Sequence, residues 1–230
     1  MAGTDIKLTS SGGGEFASYV VTPDGGPAPG IVMVADIFGV GPSLKAICDE
    51  LGEAGYAVSA PDFFWRTDLP GPLELGDERA RERAQPRYDL IEKGIEDVAD
   101  AANDLKSRPE CNGKVAVAGF CYGGPYAYIG PARMGLDAGF SYHGSAMQDW
   151  YDDIAGIKAP VSIHFGTDDH AAPQEVLDQI QDAADGNDLL ELHLYPDVKH
   201  GYTLRQAPAW DAAAYEASMT RTKEILNALR

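Results

Sequence analysis

The feature that most constrains this chain is the six-residue stretch 119–124, which reads GFCYGG. It follows the apolar run 115–118 and precedes a segment of small residues. A Gly-x-nucleophile-x-Gly pattern between a strand and a helix is typical of a nucleophile elbow, a turn too sharp for Cβ atoms at its flanks. The pattern predicts that the thiol of Cys121 stands out over the end of a sheet. The alternative is a buried structural cysteine in a glycine-rich turn, because free cysteine is among the most buried residue types.

The segments around this turn predict an α/β protein with a mostly parallel sheet. Residues 31–35 form a continuous apolar run behind a Pro/Gly-rich loop, which is typical of a strand buried on both faces. A helical pattern over 42–54 and a strand over 56–60 follow, and together they give the crossover unit of α/β proteins. Further strands are predicted at 114–118, 138–142, 160–166 and 189–195, and helices at 77–85, 88–106, 173–184 and 208–229. Because the composition shows no break, we expect a single domain over residues 1–230.

Composition and charge narrow the functional classes. The formal net charge of -18 argues against nucleic acid and against an anionic membrane surface as partners. No apolar run approaches the roughly 20 residues that span a bilayer, and no secretory signal is visible at the start. The three cysteines have no CxxC spacing, and the five histidines have no i, i+4 pair, so neither a disulfide framework nor a zinc site is indicated. We therefore expect a protein of the reducing cytoplasm.

Three kinds of side chain follow strands in the order nucleophile, acid, histidine. Downstream of Cys121, the acids Asp168 and Asp169 end one predicted strand, and His200 lies in the loop after another. Ligands in parallel α/β sheets bind at the carboxyl ends of strands, so these loops can converge although they are distant in sequence. The order predicts that Cys121 is a nucleophile, that His200 is its base, and that one of the two aspartates orients the histidine.

The same pattern predicts how negative charge is stabilised. A histidine partner and a position at a helix N-terminus both favour the thiolate of Cys121. In enzymes with a nucleophile elbow, two backbone N–H groups form the oxyanion hole. One belongs to the residue after the nucleophile, here Tyr122, and the other to the loop after an early strand, here Ile37.

The other histidines and the irregular segments have less specific interpretations. His164 lies inside an apolar strand and is predicted to be a core histidine. His143 is interpreted either as part of a pocket wall or as an ordinary packed residue. His170 is interpreted either as a surface or pocket-rim residue or as a catalytic one. The loop over 63–76 is interpreted either as a pocket wall or as a surface excursion. The charged run 77–83 is either a solvated helix face or the source of an arginine that grips an anionic group.

Several sequence blocks occur along the chain in a characteristic order: DIFGV at 36–40, GY at 55–56 with PD at 61–62, DERAR at 77–81, GFCYGG at 119–124, HFG at 164–166 with DH at 169–170, and Tyr195 with His200. Together these blocks resemble the dienelactone hydrolase family. The resemblance covers nearly the whole chain, and it is specific because a cysteine elbow is unusual among α/β-hydrolases.

The resemblance implies an α/β-hydrolase fold, in which a mostly parallel central sheet is flanked by helices on both faces. It implies hydrolysis of a small ester or lactone through a thioester acyl-enzyme, without a metal or an organic cofactor. Among the acids it selects Asp169. The expected partner is a small-molecule substrate, and neither a monomer nor a homodimer is favoured.

The resemblance also provides candidates for substrate binding. The family's carboxylate near the thiol is usually Glu and is here Asp36, a candidate for gating the thiol. Arg81 matches one substrate-binding arginine of the family, and Arg205 lies one place after the position expected for the second. Two alternative functions stay open: a non-catalytic binding protein that keeps the scaffold, and a redox sensor that works through oxidation of Cys121.

Overall fold

The computed structural model describes residues 2–230 and contains one eight-stranded sheet. The strands are β1 Thr4–Thr9, β2 Glu15–Val21, β3 Ala28–Val34, β4 Ala57–Pro61, β5 Cys111–Phe120, β6 Ala138–Tyr142, β7 Val161–Asp168 and β8 Leu190–Lys199, in the order β1-β2-β4-β3-β5-β6-β7-β8. Pairing is antiparallel between β1 and β2 and between β2 and β4, and parallel between β3 and β4, β5 and β6, β6 and β7, and β7 and β8. The mostly parallel sheet predicted from the sequence is therefore confirmed.

The helices begin and end where local chemistry favours it. The first helix begins at Pro42, whose fixed φ suits the first helical turn, and Gly55 with φ +88 follows its end. The last helix is capped by Asp211, whose side chain accepts the N–H of Ala214. The α-helices are α1 Pro42–Glu53, α2 Arg79–Arg83, α3 Arg87–Ser107, α4 Tyr126–Ile129, α5 Gln174–Asp185 and α6 Ala212–Asn227.

Contacts divide the chain into two compact units. The first runs to Val115 and includes Arg230, and the second covers 116–229. The first contains β1 to β4 with α1 to α3, and the second contains β6 to β8 with α4 to α6. The predicted nucleophile, acid and base all belong to the second unit. The single domain over 1–230 stays a prediction, and Met1 lies outside the described residues.

The second unit brings the carboxyl ends of three strands side by side. Register pairs join Phe120 of β5 to Tyr142 of β6, and Tyr142 to His164 of β7. The strand interiors are fully buried, and α4 lies so close to β6 that a Cβ on Gly139 would be 2.1 Å from the carbonyl oxygen of Ala127. The loops that follow β5, β6 and β7 therefore emerge next to one another.

Two segments of the second unit differ from the sequence prediction. The segment 148–157, for which the sequence predicts neither a helix nor a strand, contains 3-10 helical turns over Met147–Gly156. Strand β8 was predicted to end at Tyr195 but continues through Pro196 to Lys199. A proline has no N–H for a sheet ladder, yet it is tolerated here because β8 is the edge strand.

The close approach of α4 to β6 gives a test of the packing. We expect Gly139→Ala to lower the free energy of unfolding by about 1–3 kcal/mol or more, because the added Cβ forces backbone to move. Gly25→Ala is the matched control, since a Cβ at Gly25 would meet nothing within 4 Å. Urea denaturation followed by circular dichroism measures both. Equal midpoints for the two variants would contradict the described packing.

Candidate active site

Cys121 occupies a strained turn at the carboxyl end of β5. It starts the 3-10 turn Cys121–Gly123 with φ 48, a left-handed conformation that non-glycine residues seldom adopt. A Cβ on Gly119 would lie 1.9 Å from the carbonyl oxygen of Gly123, so this flank of the turn has room only for glycine. Cys121 is half-buried, whereas Cys48 and Cys111 are buried. The sharp turn predicted from the sequence is therefore present, and its sulfur is the accessible one.

Asp169, which is buried, and His200, which is half-buried, form a hydrogen-bonded pair beyond the ends of β7 and β8. The Nδ1 atom of His200 lies 2.8 and 2.9 Å from the two carboxylate oxygens of Asp169. One of those oxygens also accepts the N–H of Ala171 at 2.8 Å. Asp169 is buried and Asp168 is exposed, so the structure places the second aspartate against the histidine.

The proton on His200 is held by its two neighbours. Burial lowers the pKa of His200, but the hydrogen bonds to Asp169 and to Cys121 outweigh burial and raise this pKa to about 10. Asp169 occupies Nδ1, which leaves Nε2 for the sulfur. At neutral pH the ring of His200 is therefore a cation that lies between a carboxylate and a sulfur atom.

Two further histidine rings pack edge-to-face against His200. The ring centroid of His143 lies 4.9 Å from that of His200, and the centroid of His170 lies 5.0 Å from it. His143 is fully buried and places Nε2 2.8 Å from the hydroxyl of Thr203. Burial and the nearby charge of His200 hold the pKa of His143 well below its usual range. His143 is therefore a neutral support for His200, and His170 is an exposed neighbour.

His164 is a core residue, which confirms the sequence prediction. It is fully buried, and its nitrogens lie 2.8 Å from the hydroxyl of Tyr195 and 3.0 Å from that of Ser162. Its ring stacks between those of Tyr142 and His193. Burial lowers its pKa to about 3, so it stays neutral at physiological pH.

Ser145 was missed by the sequence reasoning. Its hydroxyl oxygen lies 3.7 Å from the sulfur of Cys121, and its N–H donates to the carbonyl oxygen of Cys121 at 2.9 Å. The sequence does show a polar residue just after the predicted strand 138–142. This residue could be placed near Cys121 only with the knowledge that β6 is the neighbour of β5 in the sheet.

The first unit contains Asp36 and Ile37 in the turn after β3. The carboxylate of Asp36 accepts the N–H of Phe38 at 2.7 Å, and its carbonyl accepts the N–H of Gly39 at 3.1 Å. Because the Asp36 carbonyl points into the turn, the Ile37 N–H on the same trans peptide points away from it. Within residues 2–230 this N–H makes no hydrogen bond.

The inward arginine of the charged run is Arg83. It is buried, and its guanidinium donates to the carbonyl oxygens of Ile37, Leu69 and Gly71. Arg81 is exposed on α2. The segment 63–76 has neither helix nor strand and is fixed to its unit partly by these bonds.

Arg205, the second predicted arginine, lies in the other unit and is exposed. Its guanidinium lies 5.3 Å from the ring centroid of Trp210 and 5.2 Å from that of Tyr215. Because both rings lie close to this guanidinium, Arg205 presents its positive charge on the segment that follows His200.

Comparison with known proteins decides the family. Residues 16–229 match the model of the family described as "Dienelactone hydrolase family". The chain belongs to the dienelactone hydrolase family. It is therefore a hydrolase of the carboxylic ester and lactone class, and the resemblance on which the sequence prediction rested is confirmed.

Curated relatives match over almost their full lengths. The chain is 31% identical over 232 residues to carboxymethylenebutenolidase 1 of Cupriavidus pinatubonensis, covering 100% of this chain and 99% of the relative. It is 29% identical over 227 residues to the carboxymethylenebutenolidase of Pseudomonas putida, covering 98% and 96%.

Solved structures show the α/β-hydrolase fold of dienelactone hydrolases. A dienelactone hydrolase-like promiscuous phosphotriesterase from metagenomic libraries superposes with a TM-score of 0.78 at 23% identity, covering 100% of this chain and 99% of that one. The dienelactone hydrolase of Anabaena variabilis superposes with a TM-score of 0.67 at 18% identity, covering 97% and 99%. At these identities the likeness shows the fold alone.

Across residues 2–230, no three His, Cys, Asp or Glu side chains are grouped so that they could hold a metal ion. Over the same residues, no helix has both the length and the apolar character needed to cross a bilayer.

The Asp169–His200 pair predicts how stability depends on pH. The pKa of His200 is raised from 6.5 to about 10, so the pair stabilises the fold fully below pH 6.5 and loses this contribution as pH rises through about 10. We expect Asp169→Asn to lower the free energy of unfolding by about 1–3 kcal/mol at pH 6 and by much less near pH 10.5. Urea denaturation at both pH values measures this. Asp168→Asn is the matched control, and a pH-independent loss in Asp169→Asn would contradict the assignment.

Proposed function

We propose that this chain hydrolyses small esters or lactones through a thioester on Cys121. The observation that supports the proposal is the hydrogen bond between the buried carboxylate of Asp169 and the half-buried ring of His200, and the bonds of that ring to Asp169 and Cys121 raise its pKa. A nucleophile, a base and an orienting carboxylate at the ends of neighbouring strands form the set that acyl transfer requires. We also propose that the protein acts in the cytoplasm, where a thiol stays reduced.

In the acylation half, the thiolate of Cys121 attacks the carbonyl carbon of the substrate. An S–C bond forms, and the carbonyl π electrons move to the oxygen. When the tetrahedral intermediate collapses, the C–O bond of the ester breaks. The leaving alkoxide takes the Nε2 proton from His200, which becomes neutral. The product is an alcohol and a thioester on Cys121.

In the deacylation half, neutral His200 acts as a base towards water. It takes one proton while the water oxygen attacks the thioester carbonyl carbon, and the C–S bond then breaks. Sulfur leaves as the thiolate beside the protonated ring, so the starting ion pair is restored. Asp169 keeps Nδ1 protonated throughout, which leaves Nε2 free to exchange its proton. A lactone would give one hydroxy acid, because its alcohol stays tethered.

Two backbone N–H groups are proposed to stabilise the developing oxyanion. They are those of Tyr122, which follows the nucleophile, and Ile37, whose N–H points out of its turn. Donors aimed at a developing oxyanion are worth about 3 kcal/mol each in the barrier. The Asp36 carbonyl fixes the Ile37 peptide by accepting from Gly39, so this donor is oriented before substrate arrives.

The candidates for substrate recognition carry charge. Arg81 is exposed on α2, and Arg205 lies beside two aromatic rings. Guanidinium groups of this kind suit a substrate carboxylate, so we propose a substrate with an acidic group. Asp36 is buried near the end of β3, and we propose that its carboxylate gates the thiol.

The proposal is tested by removing one thiol at a time. We expect Cys121→Ala to lower turnover of p-nitrophenyl acetate by about a thousand-fold or more, because the only proposed nucleophile is lost. Cys111→Ala, which removes a buried thiol, is the control and should keep most of the activity. Release of p-nitrophenol, followed by absorbance, measures both.

Equal turnover in wild type and Cys121→Ala would contradict the nucleophile. Binding of a lactone without turnover in either protein would instead favour the non-catalytic binding protein.

A further inference from the structure

We propose that Ser145 is a further catalytic residue, whose hydroxyl group hydrogen-bonds the sulfur of Cys121 and stabilises the thiolate. The inference rests on the proposed function only in taking Cys121 as the nucleophile.

Ser145 contacts Cys121 through both its side chain and its backbone. Its hydroxyl oxygen lies 3.7 Å from the sulfur, and its N–H donates to the Cys121 carbonyl oxygen at 2.9 Å. That carbonyl also accepts the N–H of Gly124 at 3.0 Å. The backbone bond therefore holds the Ser145 backbone beside the elbow, and its hydroxyl group lies within hydrogen-bonding distance of the reacting sulfur.

The loop that contains Ser145 packs tightly against the turn at Cys121. A Cβ on Gly124 would lie 2.6 Å from the Cα of Gly144, so the two backbones meet where both residues are glycine. A Cβ on Gly144 would lie 2.5 Å from the sulfur of Met147 and 2.6 Å from the hydroxyl of Ser141. This packing holds Ser145 in register with Cys121.

Strained residues flank Ser145. His143 has φ 41 and Ala146 has φ 51, both in the left-handed region that non-glycine residues avoid. The N–H of His143 is anchored to the carbonyl of His164 at 2.8 Å. Strain of this kind persists where the surrounding structure enforces it, and it concentrates at functional sites. Here it presents the Ser145 hydroxyl group to the sulfur.

The chemistry of the sulfur explains why a second donor is useful. His200 uses Nδ1 for Asp169 and has only Nε2 for the sulfur, and it gives that proton away during each cycle. A serine hydroxyl group is neutral and keeps its proton, so it can donate to the sulfur whenever negative charge is present there. Negative charge is present on the sulfur when the thiolate forms before attack, and again when the C–S bond of the thioester breaks.

The test is the pH dependence of alkylation of Cys121 by iodoacetamide. Mass spectrometry of the Cys121 peptide separates this thiol from Cys48 and Cys111. Because only the thiolate reacts, we expect Ser145→Ala to move the midpoint of the profile up by about 0.5–1 pH unit. Ser145→Thr keeps the hydroxyl group and should restore the wild-type midpoint. Ser107→Ala, at an exposed serine, is the control and should also leave it unchanged.

Two results would overturn the proposal: an unchanged midpoint in Ser145→Ala, or a shift in Ser145→Thr as large as that in Ser145→Ala. A serine that only supported the loop would alter ester turnover without moving the alkylation midpoint. Alkylation needs no substrate, so the readout is independent of ester hydrolysis. Absence of ester turnover in the wild type would count against the proposed function and would leave this result standing.

Discussion

The hydrogen bond between Asp169 and His200 is the interaction on which the site depends. It exists because β8 continues beyond Pro196 to Lys199, which pairs with Asp168 of β7 after an irregularity in the ladder. The two strands approach closely there, since a Cβ on Gly166 would lie 2.0 Å from the carbonyl oxygen of Val198. A side chain at that glycine would push the two strands apart, and with them the acid and the histidine.

The pair also sets the charge at the sulfur. His200 and His143 have ring centroids only 4.9 Å apart, yet their environments drive their pKa values in opposite directions. His200 faces a carboxylate and a sulfur atom and is protonated, whereas His143 faces a hydroxyl group in a buried position and is neutral. Neighbouring groups with pKa values pushed apart are typical of sites that move protons. The positive charge beside Cys121 is therefore a local property, in a chain whose net charge is -18.

Sequence reasoning reached the parts of the site that depend on local chemistry. The glycines around Cys121 require a sharp turn, and a parallel sheet predicts that an aspartate after β7 lies near His200 after β8. The choice of Asp169 over Asp168 came from the family resemblance. Ser145 and His143 could not be predicted in the same way, because their roles depend on which strand neighbours β5 and on a strained loop after β6.

The arginines of α2 show a second limit of local reasoning. Arg81 and Arg83 are two residues apart, so they lie on nearly opposite sides of a helical turn. Only packing decides which of them faces inward, and the structure buries Arg83. The extension of β8 through a proline was likewise visible only once β8 was known to be an edge strand.

The central claim is that an acyl group passes through the sulfur of Cys121. The most direct measurement is the intact mass of the protein, quenched in acid within milliseconds of mixing with an excess of a p-nitrophenyl ester. A transient species heavier by one acyl group is expected, with the added mass on the peptide that contains Cys121 and absent from Cys121→Ala. Sustained turnover without such a species, or with the acyl group on another residue, would contradict it.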